Sequence, residues 1–334
     1  MNGFVSRSVI LILALCLFLS AGAAEHPGSE AFITATAKEH GLDEQFIREL
    51  LAEAEYRQDI IDAITRPAEA KPWHQYRNIF LTERRIKGGA LFLGGHWDLL
   101  QNIEAEFGVP AEIVAAITGV ETSYGGNTGS YRVIDALVTL GFYYPRRSDF
   151  FSAELAHLFK LAHEESLPLI DLRGSYAGAM GLGQFMPSSY RAYAVDFDDD
   201  GRRDLWQSLE DALGSVANYL KSHRWQAGEP VVLPATVDNP NALPEKPALK
   251  LEYTLAELAA MGVRPLYGEL DPATPAMLVR LEREDGTEEF WIGLNNFYAI
   301  TRYNRSALYA MAVYQLSQAI TELVPEQLNA EAAE

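Results

Sequence analysis

One stretch of the chain combines a strong helical pattern with a carboxylate on the apolar side. In residues 110–126 the apolar positions recur every three or four residues and form one helix face: Ile113, Ile117, Val120 and Tyr124. At about 100° per residue, Glu121 falls inside that face. Burial and the negative end of the helix dipole both raise a carboxyl pKa, so Glu121 is a candidate general acid. The alternative is a glutamate at the helix edge that reaches into solvent. Pro110 favours the helix start, and Gly125 and Gly126 favour its end.

The hydrophobic pattern elsewhere predicts a mainly α-helical protein with a small β-rich segment, an α+β chain. Residues 29–64 predict two or three short helices, and residues 82–107 predict one longer helix weakened by two glycine pairs. Residues 226–295 alternate apolar and polar positions between turns, which predicts strands and one short helix near residue 255. Further helices are expected at residues 73–81, 133–140, 147–162, 209–224 and 306–323.

The first residues are typical of a secretory signal peptide. Arg7 precedes an apolar run at residues 9–19 that is too short to span a bilayer comfortably, and small residues follow. We expect residues 1–24 to be removed and the mature protein to be periplasmic, without a transmembrane helix. Cys16, the single cysteine, lies inside the apolar run, so lipid attachment and an outer-membrane location are the weaker alternative. Without Cys16 the mature chain has no thiol for a disulfide, a nucleophile or a metal.

The charge of the chain narrows the possible partners. The 334 residues carry a formal net charge of −19, and the acidic excess is spread along the sequence. This argues against nucleic acid or an anionic membrane surface as the main partner. Arg146 and Arg147 form a basic corner in this acidic chain. Because cations suit a helix C-terminus better than an N-terminus, these arginines either have an anionic partner or are ordinary surface charge.

Residues 174–190 form a second unusual stretch. Their four glycines permit tight turns and close approach of a ligand to the backbone. Ser175 and Gln184 are the polar groups that such a loop would present. A substrate-binding loop and a tightly packed structural loop are both consistent with this composition.

Residues 196–211 follow the first half of a calcium-binding loop. Positions 1, 3 and 5 are aspartates, position 6 is Gly201 and position 7 could offer the backbone carbonyl of Arg202. Position 12 is Gln207 rather than glutamate, so the last ligand would come from Glu210 or Asp211. An oxygen-only ligand set predicts a structural Ca²⁺ or Na⁺, and an acidic helix-capping turn is the alternative. No cofactor is expected for catalysis.

A carboxylic acid is the natural catalyst here. The sequence contains no zinc-protease motif, nucleophile elbow, phosphate-binding loop or dinucleotide fingerprint. Glycoside cleavage needs one acid for the leaving oxygen and usually a second carboxylate that attacks or activates water. The nearest candidate for a second carboxylate is Asp135, and its sequence context suggests a helix surface or cap.

Four motifs together resemble the B-type lytic murein transglycosylases: GVETSYGG, GSYAGAMGLGQFMPSSY, the acidic loop followed by GSVANYLKSHRW, and RYNRSALYAMAVYQL. The similarity runs from about residue 31 to residue 319, in the same order. It implies a helical N-terminal domain at residues 25–108 and a lysozyme-like catalytic core at residues 109–225. It further implies a small β-rich domain at residues 226–295 and a C-terminal helix at residues 296–325 that returns to the helical part. The tail at residues 326–334 is expected to be disordered.

The resemblance also implies an activity. Enzymes of this family cleave the β-1,4 bond between MurNAc and GlcNAc, so peptidoglycan glycan strands are the expected partner. Glu121 would act alone, first as an acid toward the bridging oxygen and then as a base toward the C6 hydroxyl of MurNAc. That hydroxyl would close on the anomeric carbon to give a 1,6-anhydro product. A hydrolytic muramidase and a catalytically silent wall-binding protein are the alternatives, and a monomer is expected.

Further residues receive roles by motif position. Ser175 and Gln184 would bind substrate near the glutamate, with Met180 and Phe185 lining the cleft. Arg146 and Arg147 would face carboxylates of the polymer's peptides. The groove would also be lined by Tyr76, Tyr219, Tyr303, Asn304 and Tyr309. The cation would be held by Asp196, Asp198, Asp200, Asp211 and the Arg202 carbonyl.

Overall fold

The computed structural model describes residues 26–66 and 71–324. The expected signal peptide, Cys16 and the tail at residues 326–334 lie outside the described residues. Helices dominate the described part of the chain, and two antiparallel sheets of two and five strands accompany them, which confirms a mainly helical α+β fold. Within the same residues, no helix is long and apolar enough to cross a membrane.

In the described residues, six helices precede the Glu121 region: α1 (Ser29–His40), α2 (Glu44–Ala52), α3 (Gln58–Thr65), α4 (Trp73–Phe80), α5 (Glu83–Gly95) and α6 (Trp97–Phe107). The prediction of one helix over residues 82–107 is wrong, because α5 and α6 are separate and meet at His96. Gly89 of α5 serves close packing, whereas a Cβ atom at Gly95 would meet nothing within 4 Å. A Cβ atom at Gly89 would overlap the side chains of Tyr124 and Ile320.

Five helices follow: α7 (Ala111–Thr122), α8 (Val133–Tyr143), α9 (Ser148–Glu165), α10 (Pro187–Tyr193) and α11 (Leu209–Ser222). A two-stranded sheet of β1 (Tyr131–Arg132) and β2 (Arg173–Gly174) links the loops between them. Ten of the 12 residues of α7 are buried, so α7 is a central helix surrounded by others rather than a surface helix with one apolar face.

The β-rich segment is one antiparallel sheet in the order β4-β6-β7-β3-β5, with the short helix α12 (Leu255–Ala260) beside it. Its strands are β3 (Val232–Val237), β4 (Tyr253–Thr254), β5 (Val263–Pro265), β6 (Pro275–Glu282) and β7 (Glu288–Gly293). Side chains alternate along β6: Met277 and Val279 join the main helical core, whereas Leu278 joins a second, smaller core. The sheet is therefore attached to the helical part through one of its faces.

The described part of the chain ends with two helices, α13 (Asn295–Tyr303) and α14 (Ala307–Leu323). The helix expected at residues 306–323 is confirmed, and the C-terminal helix expected from the resemblance at residues 296–325 is divided into α13 and α14. Helix α14 packs against α4, α5 and α7. The last helix among the described residues thereby lies against the helix that carries Glu121.

Candidate active site

Glu121 lies in the last turn of α7, just before an unusual helix end. The helix stops at Thr122, and Ser123 and Tyr124 both have left-handed backbones, with φ of 53° and 61°. The predicted stop at the glycines is therefore too late, and Pro110 is the N-cap rather than the first helical residue. The Tyr124 hydroxyl donates to the carbonyl oxygen of Arg85 at 3.0 Å. That anchorage holds the chain in a conformation that non-glycine residues seldom adopt.

The carboxyl group of Glu121 has one hydrogen-bond partner among the described residues. The Tyr309 hydroxyl donates to Oε1 of Glu121 at 2.7 Å. Tyr309 is 2% exposed and lies in the first turn of α14, where its backbone N–H donates to the Ser306 hydroxyl at 3.3 Å. Burial raises the pKa of Glu121 to about 7, and the hydrogen bond from Tyr309 acts against that rise. Glu121 as a residue is only partly buried, so it lies at the edge of the protein interior.

Aromatic side chains from α11, α13 and α14 surround this pair. The rings of Tyr303 and Tyr309 are parallel, with centroids 6.5 Å apart. The Tyr303 hydroxyl donates to the carbonyl oxygen of Gly183, and the Tyr219 hydroxyl to that of Arg302, both at 2.6 Å. Burial first, and then the charge of Glu121, raise the pKa of Tyr303, which places its phenol near the carboxyl group. The tyrosine hydroxyls are thus fixed by backbone acceptors.

The glycine-rich loop at residues 174–190 packs against these tyrosines and, together with them, forms one wall beside Glu121. Met180 and Phe185 exchange two backbone hydrogen bonds of 2.9 Å, and their side chains are 0% and 2% exposed. They form the interior of the wall rather than its surface. Phe185 packs on Tyr219 and Tyr303 at centroid distances of 5.7 and 5.8 Å. The loop is tied to α7 where the Thr122 hydroxyl donates to the Leu182 carbonyl oxygen at 3.1 Å.

The two polar residues predicted from this loop are both held locally. Gln184 has a left-handed backbone with φ of 51°, and its Nε2 donates to the carbonyl oxygens of Thr128 and Gly181 at 3.0 and 2.9 Å. The Ser175 hydroxyl oxygen accepts backbone N–H groups of the same turn. These bonds fix the direction of each side chain, and they leave the Gln184 carbonyl oxygen and the Ser175 proton to face other groups.

Other predicted substrate residues differ in how close they lie to Glu121. Tyr76, on α4, packs on Phe80 at 5.2 Å and contributes to the raised pKa of Tyr309, so it is near the centre. Asn304 is the C-cap residue of α13, directly after Tyr303.

Arg146 and Arg147 are exposed in a 3₁₀ turn at Pro145–Arg147. The Arg147 guanidinium stacks over the rings of Phe150 and Phe151 at 4.4 and 5.0 Å.

The sequence context of Asp135 suggested a helix surface or cap, but the residue is buried. It is 1% exposed within α8 and accepts the Glu55 backbone N–H at 2.9 Å. Arg132 lies 3.4 Å from the same carboxylate. Asp135 therefore supports the junction between α8 and the N-terminal helices. Among the described residues, no carboxylate is close enough to affect the pKa of Glu121.

Three carboxylates converge in the loop between α10 and α11. Oxygen atoms of Asp196, Asp198 and Asp211 lie within 4.8 Å of one another. Asp211 is fully buried, and its two oxygens accept the backbone N–H groups of Phe197 and Asp204, each at 2.7 Å. Burial raises the pKa of Asp211. A bound cation would offset the cost of gathering these charges.

The other predicted ligands of this loop are arranged around the cluster. The Asp200 carboxylate accepts the backbone N–H of Arg202 at 2.8 Å and is not part of the cluster. Gly201 has φ of +89°, which the sharp turn requires and glycine permits. An oxygen-only set with this turn fits Ca²⁺ or Na⁺. The Arg202 carbonyl ligand stays a prediction.

The sequence reasoning missed Arg85, Ser123 and Tyr124. Arg84 and Arg85 lie in the first turn of α5, where cations are unfavourable. A pair of arginines at a helix N-terminus was noted at Arg146 and Arg147. The same pattern could have drawn attention to Arg84 and Arg85. The left-handed backbone of Ser123 and Tyr124 has no sequence signature, because it depends on the contact of Tyr124 with a distant helix.

Comparison with known proteins places this geometry in a family. Residues 24–318 match the family model described as Transglycosylase SLT domain, so the fold and site define an SLT-type transglycosylase. Membrane-bound lytic murein transglycosylase B of Escherichia coli K12 is 42% identical over 307 residues, which cover 89% of this chain and 83% of that protein. The chain belongs to the B-type lytic murein transglycosylases, which confirms the family assignment and makes the protein an enzyme.

Solved structures agree with this assignment. The catenated lytic transglycosylase SltB1 from Pseudomonas aeruginosa is 46% identical with a TM-score of 0.84, over 90% of this chain and 99% of that chain. The Escherichia coli lytic transglycosylase Slt35 in complex with calcium is 41% identical with a TM-score of 0.80, over 91% of this chain and 95% of that one. The lysozyme-like core expected for the family is therefore confirmed.

Proposed function

We propose that this lytic murein transglycosylase cleaves the MurNAc–GlcNAc β-1,4 bond with Glu121 as its single acid and base, and leaves 1,6-anhydro-MurNAc ends. The observation that carries the proposal is the Glu121 carboxyl group itself. Its pKa is raised to about 7, and Tyr309 is its one hydrogen-bond partner among the described residues. A carboxyl group with such a pKa is protonated in part near neutral pH and can serve as a general acid.

The first step is proton transfer to the bridging oxygen. Glu121 donates its proton as the bond between the anomeric carbon of MurNAc and that oxygen breaks, so GlcNAc leaves as an alcohol. Glu121 is then a carboxylate beside a positively charged sugar. The Tyr309 hydroxyl donates to this carboxylate and stabilises it.

The second step uses the same carboxylate as a base. It removes the proton from the C6 hydroxyl of MurNAc, and the C6 oxygen forms a bond to the anomeric carbon. Glu121 regains its proton, and the product carries a 1,6-anhydro ring. The intramolecular hydroxyl replaces the water that a hydrolase would activate with a second carboxylate. This agrees with the absence, among the described residues, of a carboxylate that affects the pKa of Glu121.

The predicted groove residues receive proposed roles from their contacts. Tyr303 and Tyr219 would present ring faces and edges to sugars, because their hydroxyls are already bound to backbone carbonyl oxygens. Gln184 and Ser175 would offer their remaining polar atoms to sugar substituents. Met180 and Phe185 would act from behind, as buried supports of that wall.

We further propose that the protein works in the periplasm after removal of its signal peptide. The cluster of Asp196, Asp198 and Asp211 would hold a structural Ca²⁺, as the calcium complex of the Slt35 neighbour suggests. The relative from Escherichia coli is named membrane-bound. Lipid attachment at Cys16 therefore stays the alternative to a free periplasmic form.

The central test is Glu121→Gln assayed on purified sacculi. The amide keeps the size and an acceptor oxygen for Tyr309 but cannot donate a proton as an acid. We expect the release of soluble fragments to fall by at least about 10³-fold, with an unchanged circular dichroism spectrum. Glu322→Gln, an exposed change in the last turn of α14, is the control and should retain full activity. Activity in Glu121→Gln would refute the role of this residue.

Mass spectrometry of the wild-type products separates the proposal from its alternatives. Transglycosylation gives fragments that are lighter by one water at the MurNAc end than the products of a hydrolytic muramidase. A wall-binding protein would sediment with sacculi and release nothing. Fragments of the hydrated mass would contradict the anhydro mechanism even if Glu121 proved essential.

A further inference from the structure

A cavity of about 610 Å³ opens beside the end of α7. It lies between the first turn of α5 and the segment that follows Glu121. Its polar lining carries positive charge and hydrogen-bond donors but no carboxylate. The lining residues are Ile79, Thr82, Arg84, Arg85, Gly88, Ser123, Tyr124, Gly126 and Asn127.

Arg85 is the unusual member of this lining. It is only partly exposed, and burial lowers the pKa of its guanidinium, which remains charged at neutral pH. Arg85 forms no ion pair within the described part of the chain, and its Nη1 atom is buried with no hydrogen-bond partner there. Removing a charge from water without a partner is costly, so an anion that completes the site would recover much of that cost.

The position of Arg85 is fixed from several sides. Its Nη2 donates to the Ser123 hydroxyl at 3.0 Å, and its guanidinium carbon lies 5.2 Å from the centre of the Phe80 ring. Its backbone N–H donates to the Thr82 hydroxyl, and its carbonyl oxygen accepts the Tyr124 hydroxyl. A side chain held in this way does not lose much entropy when a ligand binds, which favours recognition of an anion.

The cavity adjoins the proposed catalytic centre. Ser123 follows Glu121 by two residues, so their Cα atoms lie within about 7 Å of each other. Asn127, at the other side of the cavity, precedes Thr128, whose carbonyl oxygen accepts the Gln184 side chain. A glycan bound at Glu121 and Gln184 would therefore bring the groups that it carries close to Arg85.

We propose that Arg85 binds a carboxylate of the peptide attached to the glycan strand and makes the enzyme select strands that carry this peptide. This inference rests on the proposed function. A guanidinium offers paired donors that match a carboxylate, and exposed Arg84 adds positive charge at the rim. Arg147 also stacks on phenylalanine rings, but it is exposed, so water already solvates its charge and it gains less from binding an anion.

The test compares two substrates: glycan strands that carry their peptides, and the same strands stripped of peptide by an amidase. For Arg85→Gln we expect kcat/KM on peptide-bearing strands to fall about tenfold or more, and kcat/KM on stripped strands to stay within about twofold of wild type. Arg264→Gln is the matched control. It removes an exposed arginine that pairs with Asp238 on the small sheet, and both substrates should be cleaved as by wild type.

Two outcomes would overturn the inference: an equal loss on both substrates, which indicates a structural role, or no loss on either. If Arg85→Gln does not fold, Arg85→Lys carries the same comparison, since lysine keeps the charge but loses the paired donors. A selective loss on peptide-bearing strands is again the expected result. Wild-type enzyme that cleaves neither substrate would instead contradict the proposed function.

Discussion

Two opposing effects, burial and one hydrogen bond, set the pKa of Glu121. Burial stabilises the neutral carboxyl group, whereas the hydrogen bond from Tyr309 stabilises the carboxylate. The net result is a pKa of about 7. A carboxyl group with this pKa can both give up and take back a proton near neutral pH, as the proposed mechanism requires.

The variant Tyr309→Phe should separate the effect of the hydrogen bond from the effect of burial. Loss of the hydroxyl removes a stabiliser of the carboxylate, so the pKa of Glu121 should rise by about one unit, which corresponds to about 1.4 kcal/mol. Because the protonated form is the active acid, the alkaline fall of kcat/KM should move to higher pH by the same amount, and kcat should decrease. The measurement is a pH profile of fragment release between pH 5 and 9.

Tyr303→Phe provides the matched control, because its hydroxyl donates to the Gly183 carbonyl oxygen rather than to Glu121. Its alkaline limb should stay near the wild-type position. An unshifted profile in Tyr309→Phe would show that the phenol does not tune the acid.

Periodicity made Glu121 a candidate acid, because the signal is local: a carboxylate inside an apolar helical face. The family resemblance then favoured this interpretation over a glutamate at the helix edge. Tyr309 could be named only through the family resemblance, since 188 residues separate it from Glu121. Arg85 was missed for a related reason. Its unpaired charge becomes visible only when the neighbouring side chains are placed around it.

At the scale of elements, most helices and strands followed their local patterns, and the errors have physical causes. The break at His96 divides a region where two glycine pairs had already weakened the helical pattern. Helix α13 begins at Asn295, directly after β7, and its polar start resembles a turn. Helix α7 ends at Thr122, two residues before the expected end at Tyr124, because the contacts of Tyr124 fix the backbone there.

The cation loop offers a prediction at this scale. Removing the cation would leave Asp196, Asp198 and Asp211 to repel one another around a buried carboxylate. We expect a chelator to lower the Tm of the wild type by several degrees. A Tm that is unchanged in chelator would contradict the site.

Asp198→Asn is the companion variant. It removes one charge and one ligand from the cluster, so its Tm should be lower than that of the wild type and insensitive to chelator. Asp238→Asn, in the exposed ion pair with Arg264, should respond to chelator as the wild type does. Calcium added back to the chelator-treated wild-type protein should restore its original Tm.

At the scale of the whole molecule, the free energy of unfolding should depend on the protonation of Glu121. Its pKa rises from about 4.5 in the unfolded chain to about 7 in the fold, so ionisation opposes folding as the pH rises from 4.5 to 7. One unit of pKa shift corresponds to about 1.36 kcal/mol. Above pH 7, ionisation of Glu121 therefore lowers the free energy of unfolding by about 3 kcal/mol. Glu121→Gln should match the wild type at pH 4.5 and be about 3 kcal/mol more stable at pH 8.

Urea unfolding of both proteins at the two pH values checks this. Glu322→Gln, at an exposed position, should follow the wild type at both. A stability difference between Glu121→Gln and wild type that does not change with pH would mean that the folded protein does not perturb this carboxyl group.

The fold class was predictable because helical periodicity dominates the chain and alternation is confined to one segment. The sequence could not indicate how closely the parts join. One face of β6 belongs to the main core, so the sheet and the helices share a hydrophobic interior. Such sharing depends on which strand face meets which helix, and local patterns do not specify that.

The docking of α14 against α7 has a consequence for when the enzyme can act. A ribosome would produce Glu121 long before it produced Tyr309, and α14 is the last helix of the described chain. Until α14 packs, the glutamate lacks both its enclosure and its phenol partner. Under the proposed mechanism, an incomplete or unfolded chain would lack a working acid, and we expect cleavage to begin only after α14 has packed on α7.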